Sequence, residues 1–139
     1  MLEIAARRVG DDPRVRFLRA DLFEWSPDRK WDVAFFGFWI SHVPLERFDA
    51  FWKMVGESLR TGGRVFFVDD AFRTPDELIE GEQSSTIERR LEDGTAFRAV
   101  KVPHSAPELE AKIRRLGWDM EVHPTAGPFY WGSGSPKPR

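Results

Sequence analysis

Residues 31–40, WDVAFFGFWI, form a nearly unbroken apolar run with one carboxylate, Asp32, near its start. A short run of this kind fits a strand buried on both faces, as in a parallel sheet covered by helices. Its later part, from Gly37 onward, is expected to leave the strand. Pro44 suits the first turn of a helix, where its missing N–H is not needed. Leu45, Phe48, Phe51, Trp52, Val55 and Leu59 then mark one helical face, and Thr61-Gly62-Gly63 stops it. Residues 63–70, GRVFFVDD, read as a second buried strand. Strand, helix and strand in this order make a βαβ unit, expected to be parallel and right-handed.

The flanking segments carry weaker periodicities. Leu2, Ala5, Ala6 and Val9 recur on one face, so residues 1–9 read as a helix, closed by Gly10 and an Asp11-Asp12-Pro13 turn. Residues 14–20 alternate, with Val15 and Phe17 on one side, as a strand does. Thr74-Pro75-Asp76-Glu77 opens a short helix reaching about Gly81. Residues 86–91 and 96–102 flank Glu92-Asp93-Gly94 as a hairpin. Ser105 with Glu108 makes a capping box for a helix bearing Leu109, Ile113 and Leu116, ended by Gly117. Trp118, Met120 and Val122 alternate as a strand, and residues 128–132 return as its antiparallel partner. Residues 133–139 are polar and proline-containing, a tail expected to fray.

Composition narrows the function. The 139 residues allow one domain with a single core. With 21 basic and 23 acidic residues the net charge is -2, which argues against a nucleic-acid partner. The absence of Cys excludes disulfides, thiolate catalysis and Cys-ligated metals, and the three His have no metal-site spacing. No apolar run reaches the ~18 residues of a membrane span and no signal-peptide pattern opens the chain. A cytoplasmic setting without a membrane partner is the expectation. Gly-x-Ser-x-Gly and dinucleotide fingerprints are absent. Twelve Phe and six Trp against one Tyr fit either a core or a ligand-stacking surface.

Four strings, in order, carry a family resemblance. Met1-Leu2-Glu3-Ile4-Ala5 is followed by Arg19-Ala20-Asp21-Leu22-Phe23, by Trp31-Asp32-Val33-Ala34-Phe35-Phe36, and by Leu59-Arg60-Thr61-Gly62-Gly63-Arg64-Val65. Each is weak alone. Together, across residues 1–132, they resemble the later part of a class I, Rossmann-like S-adenosylmethionine (AdoMet)-dependent methyltransferase. In that alignment they are the helix after the second strand, the end of the third strand, the fourth strand, and the turn into the fifth. Thr61 stands where the family usually has Pro. The glycine-rich loop and the first two strands, which cradle the methionine and ribose parts of AdoMet, have no counterpart here; the only Gly before Arg14 is Gly10.

The resemblance implies an α/β fold: a truncated Rossmann-like sheet, mostly parallel, with an antiparallel C-terminal strand pair and an inserted hairpin. It would occupy residues 1–132, ahead of the 133–139 tail. The family strand order is 3-2-1-4-5-7-6, so the third and fourth strands lose the two between them. That leaves two arrangements: direct pairing of the third strand with the fourth, or a second copy filling the gap. An unpaired apolar edge there favours a homo-oligomer. The activity implied is methyl transfer from AdoMet to a small-molecule nucleophile, with impaired cofactor binding. A non-catalytic remnant that self-associates or binds a partner is the alternative.

Site residues follow from the same likeness. Asp21 would accept from the adenine amino group, with the Leu22 amide on a ring nitrogen; a turn-capping Asp is the plainer reading. Phe36, Gly37 and Phe38 would border the cofactor at the carboxyl edge of the sheet, where α/β folds bind ligands. Phe38 and Trp39 suit a sulfonium through cation–π attraction, or else pack beneath the next helix. His42 is a candidate general base or a helix-lining residue. Asp69 and Asp70 are either paired functional carboxylates or, more commonly for such a pair, solvated turn residues. Arg7-Arg8, Arg89-Arg90 and Arg114-Arg115 alternate with acids and read as solvated faces.

Overall fold

The computed structural model describes residues 2–79 and 84–138. Its elements are α1 (Leu2–Val9), β1 (Trp31–Gly37), α2 (Phe48–Ser58), β2 (Leu59–Asp70), β3 (Thr86–Arg90), β4 (Ala96–Val100), α3 (Ala106–Arg115), β5 (Trp118–Pro124) and β6 (Phe129–Pro136). Single 3-10 turns occupy Ile40–His42, Leu45–Arg47 and Pro75–Glu77.

β1 and β2 pair in parallel around α2, as the βαβ reading requires. The four-stranded sheet has the order β1-β2-β6-β5, which is the 4-5-7-6 portion of the family order. It is mixed, not mostly parallel: β2–β6 and β5–β6 are antiparallel, and β3–β4 form a separate antiparallel hairpin. With the family's other strands not represented, β1–β2 is the one parallel pair in that sheet.

One face of the sheet is covered. Phe51, Trp52 and Val55 of α2 and Leu109 and Ile113 of α3 pack against Val65, Phe67, Trp118, Met120 and Tyr130. Trp52 is central: its indole meets Phe36, Phe67 and Trp118 edge-on, at centroid distances of 6.1, 5.9 and 5.0 Å. Edge-to-face contact sets the negative ring face of one partner against the positive rim of the other. Gly132 exists to admit this core. A Cβ built there would lie 2.3 Å from the Phe67 ring.

The opposite face is open, which corrects the expectation that β1 is buried on both sides. Val33 and Phe35 are 61% and 64% exposed. Phe35 stacks on Phe66 at 5.9 Å, Phe66 meets Trp131 at 6.0 Å, and Trp131 meets His123 at 4.4 Å. An aromatic ladder thus crosses the open face. α1 has the expected apolar stripe but buries none of its residues.

Further differences have local causes. Residues 14–20 form no strand and pair with nothing in either sheet; Val15, Phe17 and Leu18 stay exposed. Alternation alone did not supply a neighbour to complete a backbone ladder. The third strand therefore does not replace the missing ones beside β1. Residues 133–136 are not tail but the end of β6, held by Gly134 opposite Met120 and Pro136 opposite Trp118. Gly134 can take that place because a Cβ would sit 2.3 Å from the Asp119 carbonyl. After the 3-10 turn, Leu78 bridges to Ile87 instead of continuing a helix, and Gly81 lies outside the described residues. No helix among the described residues is long and apolar enough to cross a membrane.

Gly132→Ala is expected to destabilise the fold by about 1–3 kcal/mol, the usual cost of forcing atoms into a packed core. Urea unfolding followed by tryptophan fluorescence measures it. An unchanged midpoint would contradict the packing described.

Candidate functional site

Backbone geometry opens the site. β1 ends at Gly37, where a built Cβ would meet only ordinary contacts, Val68 Cγ1 at 3.5 Å and Phe35 Cζ at 3.8 Å. Phe38 then takes φ 54, a left-handed conformation rare for a bulky residue. Its N–H still donates to the Val68 carbonyl at 2.8 Å, so the chain leaves the sheet without losing β2. The reversal puts the Phe38 ring against Phe129, edge-on at 6.0 Å, with both rings about half exposed. Strain of this sort is retained where the surroundings enforce it, and it clusters at ligand sites.

Beneath this rim lies a buried polar cluster. Asp69 is fully buried. Its carboxylate accepts from the Ser41 N–H (2.9 Å), the Ser41 hydroxyl (2.8 Å) and the Asp70 N–H (2.7 Å). Lys101, 1% exposed, stands 2.9 Å from Asp70, 3.7 Å from Asp69 and 3.1 Å from the Ser41 hydroxyl. The carboxylate pair is therefore not a solvated turn. Burial of a carboxylate is tolerable only with donors and a counter-charge, and this cluster supplies both. Lys101 carried no signal in the sequence, because its register in the hairpin decides its role.

His42 is half-buried, with Nδ1 2.5 Å from the Val100 carbonyl. A carbonyl can only accept, so Nδ1 carries the proton in this contact and Nε2 of the neutral ring keeps its lone pair. That is the tautomer a proton acceptor needs.

Asp21 lies in a separate turn. Its Oδ1 accepts from the Phe23 N–H at 2.9 Å, and its carbonyl accepts from Glu24 and Trp25. The turn-capping role is thus present, and it leaves Oδ2 without a partner among the described residues. Leu22 is exposed beside it. Phe23 ties the turn to the segment after β1: its ring is 6.1 Å from Trp39 and 5.1 Å from the Arg47 guanidinium. Phe36 differs from its neighbours. Its ring packs on Phe51 and Phe67, both at 5.4 Å, and so serves the core.

A cleft of about 690 Å³ opens on the other side of Phe129, between the strand ends and the hairpin. Asp70, Phe72, Glu77, Glu88, Arg89 and Phe129 line it. Arg89 pairs with Glu77 at 3.2 Å and Arg90 with Glu88 at 2.5 Å, so both arginines are ion-paired. Among the described residues no group of His, Asp and Glu is arranged to hold a metal ion.

Two solved structures share 38% identity with the chain. One, described as the DhpI-SAH complex, matches 100% of this chain and 62% of its own with a TM-score of 0.83. The other, a DhpI-SAM-HEP complex, matches 95% and 62% at 0.82. The resemblance to S-adenosylmethionine-dependent methyltransferases holds. This chain spans just under two thirds of the length of the DhpI chains. An S-adenosylmethionine-dependent methyltransferase from Clostridium acetobutylicum matches 98% of the chain and 70% of its own at 11% identity and a TM-score of 0.70, a likeness of methyltransferase fold. No protein-family model matches the sequence, and no curated protein matches it.

In this methyltransferase-like frame two buried polar groups, His104 Nε2 and the Tyr130 hydroxyl, have no hydrogen-bond partner among the described residues. Burial, with Asp69 and Asp70 adding, pushes Tyr130 ionisation well above the ordinary phenol range. Burial first, and Lys112 second, pull the His104 pKa down to about 4. The folded state therefore resists protonating His104 while the unfolded chain takes the proton near 6.5. The stability this gives is complete above about 6.5 and falls as pH drops towards about 4. His104→Leu is expected to flatten that part of the profile, read by thermal melts at intervals from neutral pH downward. An unchanged slope would contradict the assignment.

Proposed function

We propose that this chain is the later portion of an AdoMet-dependent methyltransferase acting on a small molecule. One observation carries the reading: in a chain 38% identical to one described as a DhpI-SAH complex, the β1-β2-β6-β5 sheet presents Gly37, a strained Phe38 and a tautomer-fixed His42 at one carboxyl edge. Asp21, through Oδ2, and the Leu22 N–H would hold the adenine. The open Gly37 position would admit the nucleoside, and the Phe38 and Phe129 rings would face a sulfonium. Phe36 would contribute backbone alone. AdoMet, when bound, supplies a methyl group made electrophilic by the sulfonium. His42 Nε2 would take the proton of the acceptor, which enters by the cleft under the hairpin.

The residues fit half of the cofactor. This sequence supplies no glycine-rich turn for the methionine end and no acidic strand end for the ribose, so binding by this chain alone is impaired. A cytoplasmic, cysteine-free setting suits the reading.

The open aromatic face favours a second reading, a self-associating methyltransferase-like module. Val33, Phe35, Phe66 and Trp131 form a contiguous apolar ladder beside the unpaired edge of β1. Exposed edges and apolar patches of this kind template association. We infer a homo-oligomer; light scattering should give a multiple of the 16.1 kDa chain mass, reduced to one chain by Phe35→Lys with Phe66→Lys. A monomer at all concentrations would remove this reading.

For the enzyme reading, calorimetric titration with SAH is expected to give saturable binding, about tenfold weaker for Asp21→Ala, the scale of one hydrogen bond to a charged group. Absence of saturation at millimolar SAH would overturn cofactor binding by this chain.

A further inference from the structure

Apart from the Val100 carbonyl on His42, the contacts between the hairpin and the segment after β1 have no part in the proposed function. Lys101 directly follows the last two residues of the hairpin arm, Ala99 and Val100. Its N–H donates to the Ser85 carbonyl at 2.7 Å, which holds it to the opposite arm. Its ammonium reaches across to the Ser41 hydroxyl and to Asp69 and Asp70. The Val102 N–H donates to the Ser41 carbonyl at 2.7 Å. Ser41 consequently has its amide, hydroxyl and carbonyl all engaged, by Asp69 or by residues 101 and 102. Buried polar groups so engaged cannot separate without leaving partners unsatisfied. The ammonium is the element that cannot be spared, because it is itself buried and faces two carboxylates, one of them, Asp69, fully buried.

We propose that Lys101 is a positioning residue that couples the β3–β4 hairpin to residues 38–42, so that the two open and close as one unit. The hairpin borders the acceptor cleft and residues 38–42 border the nucleoside side. A ligand ordering one therefore favours the other, and by linkage the effect is reciprocal. That consequence rests on the proposed function; the mechanical coupling does not.

The test is amide hydrogen exchange on the full chain, with the hairpin perturbed at its far tip. Gly94 has φ +84 and nothing within 4 Å of a built Cβ. Gly94→Val thus strains the turn without touching residues 38–42. It is expected to speed exchange of the Ser41 and Val102 amides about tenfold, the size of a left-handed penalty on an ordinary residue. Amides at the centres of β2 and β6 should not change. In the Lys101→Met background the same substitution should alter Ser41 exchange less than about twofold. If Lys101→Met does not fold, Asp70→Asn takes its place and the same loss of effect is expected.

An unchanged Ser41 rate in Gly94→Val would overturn the coupling. An equal acceleration in β2 and β6 would show global opening and overturn it too. A tenfold effect that persists without Lys101 would move the coupling to the Val102 and His42 contacts and overturn the role of Lys101. Failure of SAH to bind would overturn the proposed function and leave these exchange rates unaffected.

Discussion

The burial of Asp69 is the constraint on which the carboxyl end of the sheet depends. A carboxylate at a strand end is ordinarily solvated, and taking it from water costs several kcal/mol unless donors and a counter-charge replace the solvent. Here the donors come from Ser41 and Asp70 and the counter-charge from Lys101. Those groups belong to the segment after β1, to β2 and to the end of the hairpin. One buried charge thus gathers three parts of the chain that are far apart in sequence. The left-handed Phe38 and the fixed tautomer of His42 both sit on the segment it holds.

The core serves the same end from below. Trp52 interlocks α2 with β1, β2 and β5, and Gly132 leaves room for Phe67. The sheet is well packed on one side. The other side keeps its aromatic ladder in solvent, and among the described residues no strand lies beside the outer edge of β1. The free edge and the apolar face adjoin each other on β1.

Much of the architecture was legible in the sequence because it rests on local pattern. The apolar run ending at Gly37, the α2 stripe, the Glu92-Asp93-Gly94 turn and the Trp118-Met120-Val122 alternation each specify their element with few alternatives. What failed was non-local. Residues 14–20 alternate like a strand, yet alternation cannot provide a pairing partner. Residues 133–136 look like a tail, yet Gly134 is there because Asp119 and Met120 crowd it. At the site, Asp21, Gly37 and His42 were visible as residue types in a familiar order, whereas Phe36 belongs to the core by the direction of its ring. Lys101 was invisible, because only the hairpin register carries it to Asp69.

The central claim is that the carboxyl edge built on this cluster receives an AdoMet-like ligand. The most direct measurement is amide chemical-shift mapping of the labelled chain during titration with SAH. The account predicts saturable shifts confined to Asp21, Leu22 and residues 37–42, with smaller changes along residues 100–102. Shifts scattered over the open aromatic face, or none at millimolar ligand, would contradict it.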